Sequence, residues 1–416
     1  MFERTRPPVD PVTFTLDGRE IVAERGEPLA VAMLAAGESV LARSPKLHRP
    51  RGPACLRGDC DGCIARVDGV PNIMTCLRDT RGGEVVSAQN VLGSRKTDLL
   101  RITDWFFPRG IDHHHLMAGV PGVGSAMQTF ARQMAGIGRL PDEPVTPVPA
   151  ARSECDVLVV GGGLAGLSCV RRLADAKRSV MLVDEGAALG GSARFAEDGR
   201  ALVADLGPTV EASAKVLLRS SVIGFYEGEA LVVEPANAHV IRPRVLVVAT
   251  GAHDGVLCVP GNDLPGVMGA RAVCNLASSG IVPKDGAVVV GEGPWAERVK
   301  AALGSRVVAA RSERDIASIA GRSRVRGVRT TDGASFDCSV VAVATTVSPS
   351  FQVAAQAGAS TGVVDGGFAV VVDADGRAHD GVFAAGECAG VAFDPKELVA
   401  SGERAARGVV AALSPR

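Results

Sequence analysis

Val157-Leu158-Val159-Val160-Gly161-Gly162-Gly163-Leu164-Ala165-Gly166 decides the fold of most of this chain. Four consecutive apolar residues read as a strand buried on both faces, and the glycine run after them opens a helix. Each glycine of the Gly-x-Gly-x-x-Gly pattern has a separate task. Gly161 makes the tight turn, Gly163 lets backbone approach a pyrophosphate, and Gly166 lets the helix pack closely on the strand. The helix N-terminus, with Leu164 and Ala165 in its first turn, adds positive potential towards phosphate. Asp184 ends the next apolar run, where a carboxylate binds ribose hydroxyls, and Glu185 is the neighbouring alternative. The stretch therefore predicts a dinucleotide-binding βαβ unit.

Downstream, buried-strand runs at 157–160, 180–183, 245–249, 287–290, 307–310, 340–344 and 382–385 alternate with helical segments. This is the pattern of a doubly wound α/β region with two nucleotide-binding units. Three further segments follow the acid: Ala187-Ala188-Leu189-Gly190-Gly191, Ala249-Thr250-Gly251-Ala252, and a late Gly386-Glu387 pair closing a strand. The set resembles the two-dinucleotide-binding-domain (Rossmann-like) flavoproteins, and that resemblance implies FAD flanked by Gly191, Thr250, Gly251, Gly386 and Glu387. Glu387 stands where an Asp is usual, and its carboxylate still accepts hydrogen bonds. A second turn, Gly291-Glu292-Gly293-Pro294-Trp295-Ala296, is a Gly-x-Gly-x-x-Ala version, with Pro acceptable at a helix start. The strand after it ends in Arg311-Ser312, and an Arg there could accept a 2′-phosphate. Binding of NAD(P) and a shortened scaffold without nicotinamide both stay open.

Near the N-terminus, Cys55, Cys60, Cys63 and Cys76 have the Cys-x4-Cys-x2-Cys spacing of a plant-type [2Fe–2S] site, with 12 residues between the third thiol and the fourth. Three thiolates on one tight loop reach both irons, and a fourth from a nearby strand closes the cage. Gly58 and Gly62 let backbone N–H groups turn towards sulfur, and Arg51 and Arg57 are candidates to offset cluster charge. Structural zinc usually pairs one Cys-x2-Cys with another or with histidines, and no second pair follows here. Around the loop, hairpin, helix and short-strand patterns in 11–95 predict a small α+β fold of the ferredoxin (β-grasp) type. The six remaining cysteines (155, 169, 258, 274, 338 and 388) read as buried small hydrophobes.

The expected organisation is a ferredoxin-like domain over 1–95 and a connector over 96–150 that includes a helix at 127–134. A first FAD half follows over 151–253, then a shortened NAD(P)-like domain over 254–339 and a second FAD half over 340–416. With 45 basic and 46 acidic residues and no basic stripe, nucleic acid and anionic membrane are poor partners. No apolar run is long enough to span a bilayer and the first residues are not a secretory signal, so the expected location is the cytoplasm. His113-His114-His115 cannot all face one ion, and His253 beside the Thr250-Gly251 turn reads first as a loop histidine. No catalytic side chain stands out.

The stretch Ser44-Pro45-Lys46-Leu47-His48-Arg49-Pro50-Arg51-Gly52 with the cysteine loop, the first glycine turn, and Ala249-Thr250-Gly251-Ala252-His253 followed by Gly261-Asn262-Asp263-Leu264-Pro265-Gly266-Val267 carry a closer likeness. Together they resemble the α-type subunits of heteromeric sarcosine oxidase, hydrogen cyanide synthase, and opine and hydroxyproline dehydrogenases. That resemblance implies an electron-relaying subunit in which FAD and the cluster do the redox work. It also implies a β-type flavoprotein partner that oxidises the amine, and an electron acceptor. The chain ends 29 residues after Glu387, so the folate-binding region of sarcosine oxidase α is not expected. Two rivals stand beside this reading: a self-contained NAD(P)H-dependent flavin and iron–sulfur reductase of an external electron acceptor, with a small-molecule substrate possible, and a non-catalytic nucleotide-binding scaffold.

Overall fold

The computed structural model describes residues 1–107 and 147–414. The histidine run at 113–115 and the 127–134 helix fall outside the described residues. The described chain forms two compact units: 1–107 with Val256–Glu292 and Val299–Val343, and 147–255 with Gly293–Arg298 and 344–414.

The first unit begins with a five-stranded sheet in the order Arg19–Glu24, Pro11–Leu16, Val85–Ser87, Ile64–Val67, Val70–Met74. The first hairpin turns at Asp17 (φ 50°) and Gly18 (φ 81°), two left-handed residues whose twist matches that of the flanking strands. Strict alternation sends Val12, Phe14, Leu16, Ile21 and Ala23 inward. They meet the helix Leu29–Ala35, which buries Leu29 to Leu34 without a break. Full burial of each large apolar side chain there is worth about 1.5–3 kcal/mol. The helix stops at Gly37 (φ 84°), a left-handed position suited to glycine. Pro11–Leu16 pairs parallel with Val85–Ser87, so the sheet is mixed and grasps the helix from one side.

The same unit also contains a parallel sheet, ordered Val267–Gly269, Val340–Ala344, Ala287–Gly291, Val307–Arg311. An antiparallel meander follows the last of these in sequence (Ile316–Gly321, Val325–Thr330, Ser335–Asp337). The meander was not foreseen, because its residues carry neither a clean alternation nor a continuous apolar run. Phe2–Arg4 pairs antiparallel with Ile281–Pro283, and Ser339 Oγ donates to the Met1 carbonyl at 3.1 Å. These contacts stitch the N-terminal sheet region and the second α/β segment into one body.

The second unit is built on five parallel strands in the order Lys215–Leu218, Val180–Asp184, Ala150–Val160, Ala238–Val248, Val382–Ala384. Residues 157–160, 180–183 and 245–248 are buried, as strands covered on both faces must be. An added hairpin, Ser221–Tyr226 with Glu229–Val233, extends the sheet along the outer part of Ala238–Val248. The helices Leu164–Asp175 and Pro395–Leu413 touch at Gly402, where a Cβ would run into the Ala165 carbonyl. Ser168 Oγ donates to the Val399 carbonyl at 3.0 Å across the same contact.

Five of the scattered cysteines are buried, and burial pushes the Cys169 thiol up to about 12. Cys258 departs from the expectation and is exposed. Its neighbour Leu257 takes the inward position at 1% exposure, which turns the next side chain outward.

Candidate functional site

Two candidate centres can be built from the residues upward. In the first unit, the 55–63 loop turns on Leu56 (φ 55°) and Gly58 (φ 86°). Those two left-handed residues turn successive N–H groups inward. Arg57 N–H donates to Cys55 Sγ at 3.5 Å and Asp59 N–H at 3.3 Å. The backbone of Ala54 and Gly62 hydrogen-bonds Cys60 in the same way. Gly62 can only be glycine, since a Cβ there would strike the Gly52 carbonyl.

Cys55 Sγ lies 3.4 Å from Cys60 Sγ, and Cys76 hydrogen-bonds both Cys55 and Cys63. Thr75, buried beneath, donates from Oγ1 to the Cys63 carbonyl at 2.7 Å, which fastens the fourth thiol to the loop that carries the other three. The thiols share their protons unequally. Sulfur hydrogen bonds from Cys60 and Cys76 hold Cys55 and Cys63 below the ordinary thiol range, and Cys60 and Cys76 are pushed up in exchange. Among the described residues no three His, Cys, Asp or Glu side chains surround a single metal-ion position. A two-iron cluster does not require that, because each iron takes two thiolates. Four converging sulfurs with N–H donors aimed at them fit a [2Fe–2S] group, which backbone N–H···S bonds stabilise.

Arg57 pairs with Asp59 at 2.7 Å, and Arg51 pairs with Asp263 at 2.5 Å. Both cations first compensate local carboxylates. The 44–52 segment leading to the loop is held by His48, whose Nδ1 lies 2.9 Å from Asp98 Oδ2 with both side chains buried. Below the loop, Gly269 N–H donates to the Ala54 carbonyl at 2.9 Å.

In the second unit, the first glycine turn meets five other segments. Gly161 (φ 106°) packs so tightly that a Cβ would strike the Ala249 carbonyl, and Gly166 leaves no room beside the Gly161 carbonyl. By contrast, a Cβ on Gly163 would meet nothing within 4 Å, so the turn is open at the position expected to face a ligand. The helix Leu164–Asp175 starts with no side-chain cap and no acid in its first turn. Its first N–H groups are thereby left to an anion.

Asp184 accepts from Gly162 N–H at 2.6 Å and from Gly186 N–H at 2.7 Å, which ties the strand end to the glycine turn. Glu185 is exposed. Gly190 N–H donates to the Gly162 carbonyl at 2.7 Å, and a Cβ on Gly191 would lie 3.3 Å from Gly163 Cα. Thr250 Oγ1 donates to the Ser350 carbonyl at 2.6 Å, and Ser350 Oγ lies 2.9 Å from His253 Nε2. A Cβ on Gly251 would point to Glu387 Oε2 at 3.8 Å, and Glu387 is only 7% exposed. Ser401 Oγ accepts from Gly386 N–H at 3.0 Å, and a Cβ on Gly386 would sit 3.0 Å from the Ala165 Cβ.

The candidate residues at 161–166, 184, 191, 250–251 and 386–387 thus line one cradle. Its open glycine, uncapped helix and buried carboxylate fit a dinucleotide. Sequence reasoning missed Ser350 and Ser401, which hold the cradle from about 100 and 15 residues away; no local pattern marks either of them.

Comparison with known proteins matches two parts of the chain. Residues 9–91 match the 2Fe-2S iron-sulfur cluster binding domain, and residues 155–296 match the pyridine nucleotide-disulphide oxidoreductase family. The chain is 30% identical over 295 residues to sarcosine oxidase subunit alpha of Rhizobium meliloti (strain 1021), covering 63% of this chain and 30% of that protein. It is 29% identical over 289 residues to the subunit of the same name from Corynebacterium sp. (strain P-1), covering 63% and 26%. The chain thus spans less than a third of the length of these relatives. The crystal structure of L-proline dehydrogenase from P. horikoshii shares the fold, with a TM-score of 0.76 at 20% identity over 98% of this chain and 75% of that one. The chain thus joins a [2Fe–2S] domain to a flavin-type oxidoreductase domain, and over 63% of its length it is similar to the α subunits of sarcosine oxidase.

Proposed function

We propose that this relative of the sarcosine oxidase α subunits relays electrons inside an amine- or amino-acid-oxidising complex in the cytoplasm. Its partners in that complex are a β-type flavoprotein subunit and an electron acceptor. In this reading residues 1–95 carry the cluster, 96–150 connect, 151–253 and 340–416 hold FAD, and 254–339 form the shortened NAD(P)-type domain. FAD supplies two-electron chemistry and the cluster one-electron transfer, so the side chains position and tune.

Cys55, Cys60, Cys63 and Cys76 ligate the irons, and the Arg57 and Asp59 N–H groups stabilise the thiolate of Cys55. Gly161, Gly163, Leu164, Ala165 and Gly166 present backbone to the FAD pyrophosphate. Asp184 holds that turn in shape and, with Glu185, faces the ribose end. Gly191, Thr250, Gly251, Gly386 and Glu387 complete the contacts. The observation that carries the reading is that one chain has both a four-thiol loop with inward N–H donors and a glycine cradle left open at Gly163.

A second reading, a self-contained NAD(P)H-dependent reductase, is favoured by Arg311. It ends the strand after the second glycine turn and lays its guanidinium 4.5 Å from the Phe336 ring centre, an arrangement suited to a phosphorylated adenosine. An anaerobic absorbance titration of the purified chain, with iron, sulfide and flavin quantified, separates the two. Flavin bleaching by the amine only when the partner subunit is added supports the relay. Bleaching by NADH or NADPH alone supports the reductase. Protein that folds and holds FAD without acid-labile sulfide defeats the relay.

A further inference from the structure

Arg194 is the one cation that the 3-10 turn Gly191–Phe195 brings to the glycine cradle, and no sequence motif marks it. The turn is rooted at Gly190, whose φ of 109° sends the chain back over the first glycine turn. Gly190 N–H is bonded to the Gly162 carbonyl, and a Cβ on Gly191 would lie 3.3 Å from Gly163 Cα. The aliphatic stem of Arg194 lies on Gly190: a Cβ placed there would be 2.8 Å from Arg194 Cγ. Its guanidinium carbon sits 5.5 Å from the centre of the Phe195 ring.

The guanidinium is half-buried, and that burial lowers its affinity for a proton, while Asp184 works in the opposite sense. Yet Arg194 has no hydrogen bond and no ion pair among the described residues. Asp184, the charge it senses, already spends both carboxylate oxygens on the N–H groups of Gly162 and Gly186. A partly desolvated guanidinium without a hydrogen-bonded anion is costly to hold in place unless a ligand supplies one. Among the described residues, the glycine turn beside it offers backbone N–H groups and the partial charge of a helix end, but no full positive charge, to a pyrophosphate carrying two negative charges.

We propose that Arg194 is a dinucleotide-binding residue that reaches across Gly190–Gly191 and pairs with the pyrophosphate of FAD. The assignment rests on the reading of this cradle as the FAD site. It makes the binding cation part of a turn after the acid-terminated strand, outside the glycine motif itself. It also explains why a large charged residue occupies a short turn packed against glycines.

The test uses the full chain, stripped of flavin, with Arg194→Gln and Arg194→Lys beside the wild type. FAD binding is followed by flavin fluorescence, and ADP and adenosine are measured as competitors. Loss of one charge-assisted contact should weaken FAD about tenfold or more in Arg194→Gln. The lysine variant keeps the charge without the fork and should lose about threefold. ADP should weaken in step with FAD while adenosine binds unchanged, and the salt dependence of FAD binding should flatten in the glutamine variant. The flavin-free Tm should stay within about 2 °C, because the side chain makes no hydrogen bond among the described residues.

Wild-type affinity in Arg194→Gln overturns the assignment, as does equal weakening of ADP and adenosine, which would move the contact to the nucleoside. A fall in the flavin-free Tm that accounts for the lost affinity would reduce Arg194 to a packing role. Wild-type protein that takes up no FAD overturns the parent reading together with this one. Wild-type binding with indifferent variants overturns this one alone.

Discussion

The cysteine loop and the glycine cradle solve one electrostatic problem in two ways. Both leave backbone N–H groups available to negative charge, and both turn on left-handed residues, Leu56 and Gly58 in the loop and Gly161 in the cradle. In the loop, the N–H donors of Arg57 and Asp59 lie two and four residues from the sulfur they serve. In the cradle, the Gly161 turn is shaped by Ala249, Asp184 and Gly190, and the Gly386 end by Ser401 and Ala165. A charge bonded covalently to the chain can be served by a short contiguous segment. A diffusible ligand must be met from several directions, and only a sheet with crossovers brings such distant segments together.

If that contrast is right, damage to the loop should be local and complete. Cys76→Ser is expected to abolish the cluster, with iron and acid-labile sulfide falling to background while FAD content stays at the wild-type level. Flavin lost together with iron would mean that the two centres depend on one another and would break the comparison.

Damage to the cradle should spread further. Gly166→Val drives side-chain carbon into the Gly161 carbonyl, and overpacking of this kind costs about 1–3 kcal/mol. FAD affinity should fall about 10- to 100-fold, the Tm should drop by several degrees, and the iron content should hold. A graded change follows for Asp184→Asn, which keeps the shape but replaces one of the two charge-assisted acceptors with an NH2 group that cannot accept and weakens the other, each bond worth about 1.5–3 kcal/mol at most. Its FAD affinity should decline about tenfold, and equilibrium dialysis showing no change would remove Asp184 from the cradle. Thr250→Val deletes the bond to the Ser350 carbonyl and the contact with the Cys388 thiol, at a cost of about 1 kcal/mol, and should show in calorimetry as a Tm lower by about 2 °C.

The smallest effect is expected at Arg57. Its pair with Asp59 is partly exposed, and such pairs contribute about 0–1 kcal/mol. Arg57→Gln should leave cluster content and Tm nearly unchanged. A clear shift of the cluster's midpoint potential in that variant would show that the guanidinium acts on the irons as well as on Asp59.

Much of this was legible before any coordinates. The spacing of Cys55, Cys60 and Cys63 and the run from Val157 to Gly166 are short-range statements. A tight loop and a strand–turn–helix are specified by residues within one or two turns of each other. The late pair Gly386-Glu387 was singled out only by resemblance, since nothing local distinguishes a buried carboxylate from an exposed one. The Ile316–Asp337 meander and the Ser221–Val233 hairpin went unread because their faces are mixed and their stability comes from pairing across the sheet. Cys258 was misplaced because apolar neighbours in sequence do not decide which side of a short extended segment faces the core.

By itself the sequence supplied the candidates: four thiols at cluster spacing, a glycine turn of the kind suited to pyrophosphate, and runs of valine that read as interior strands. Tertiary structure alone decided what each group has as a neighbour. It placed Ser401 under Gly386, tied both oxygens of Asp184 to the turn, and joined the N-terminal sheet to the second α/β segment through Phe2–Arg4. The reason is range. Backbone propensity and motif spacing act over a few residues, whereas the partner of a buried polar atom is set by which distant strand the sheet brings alongside it.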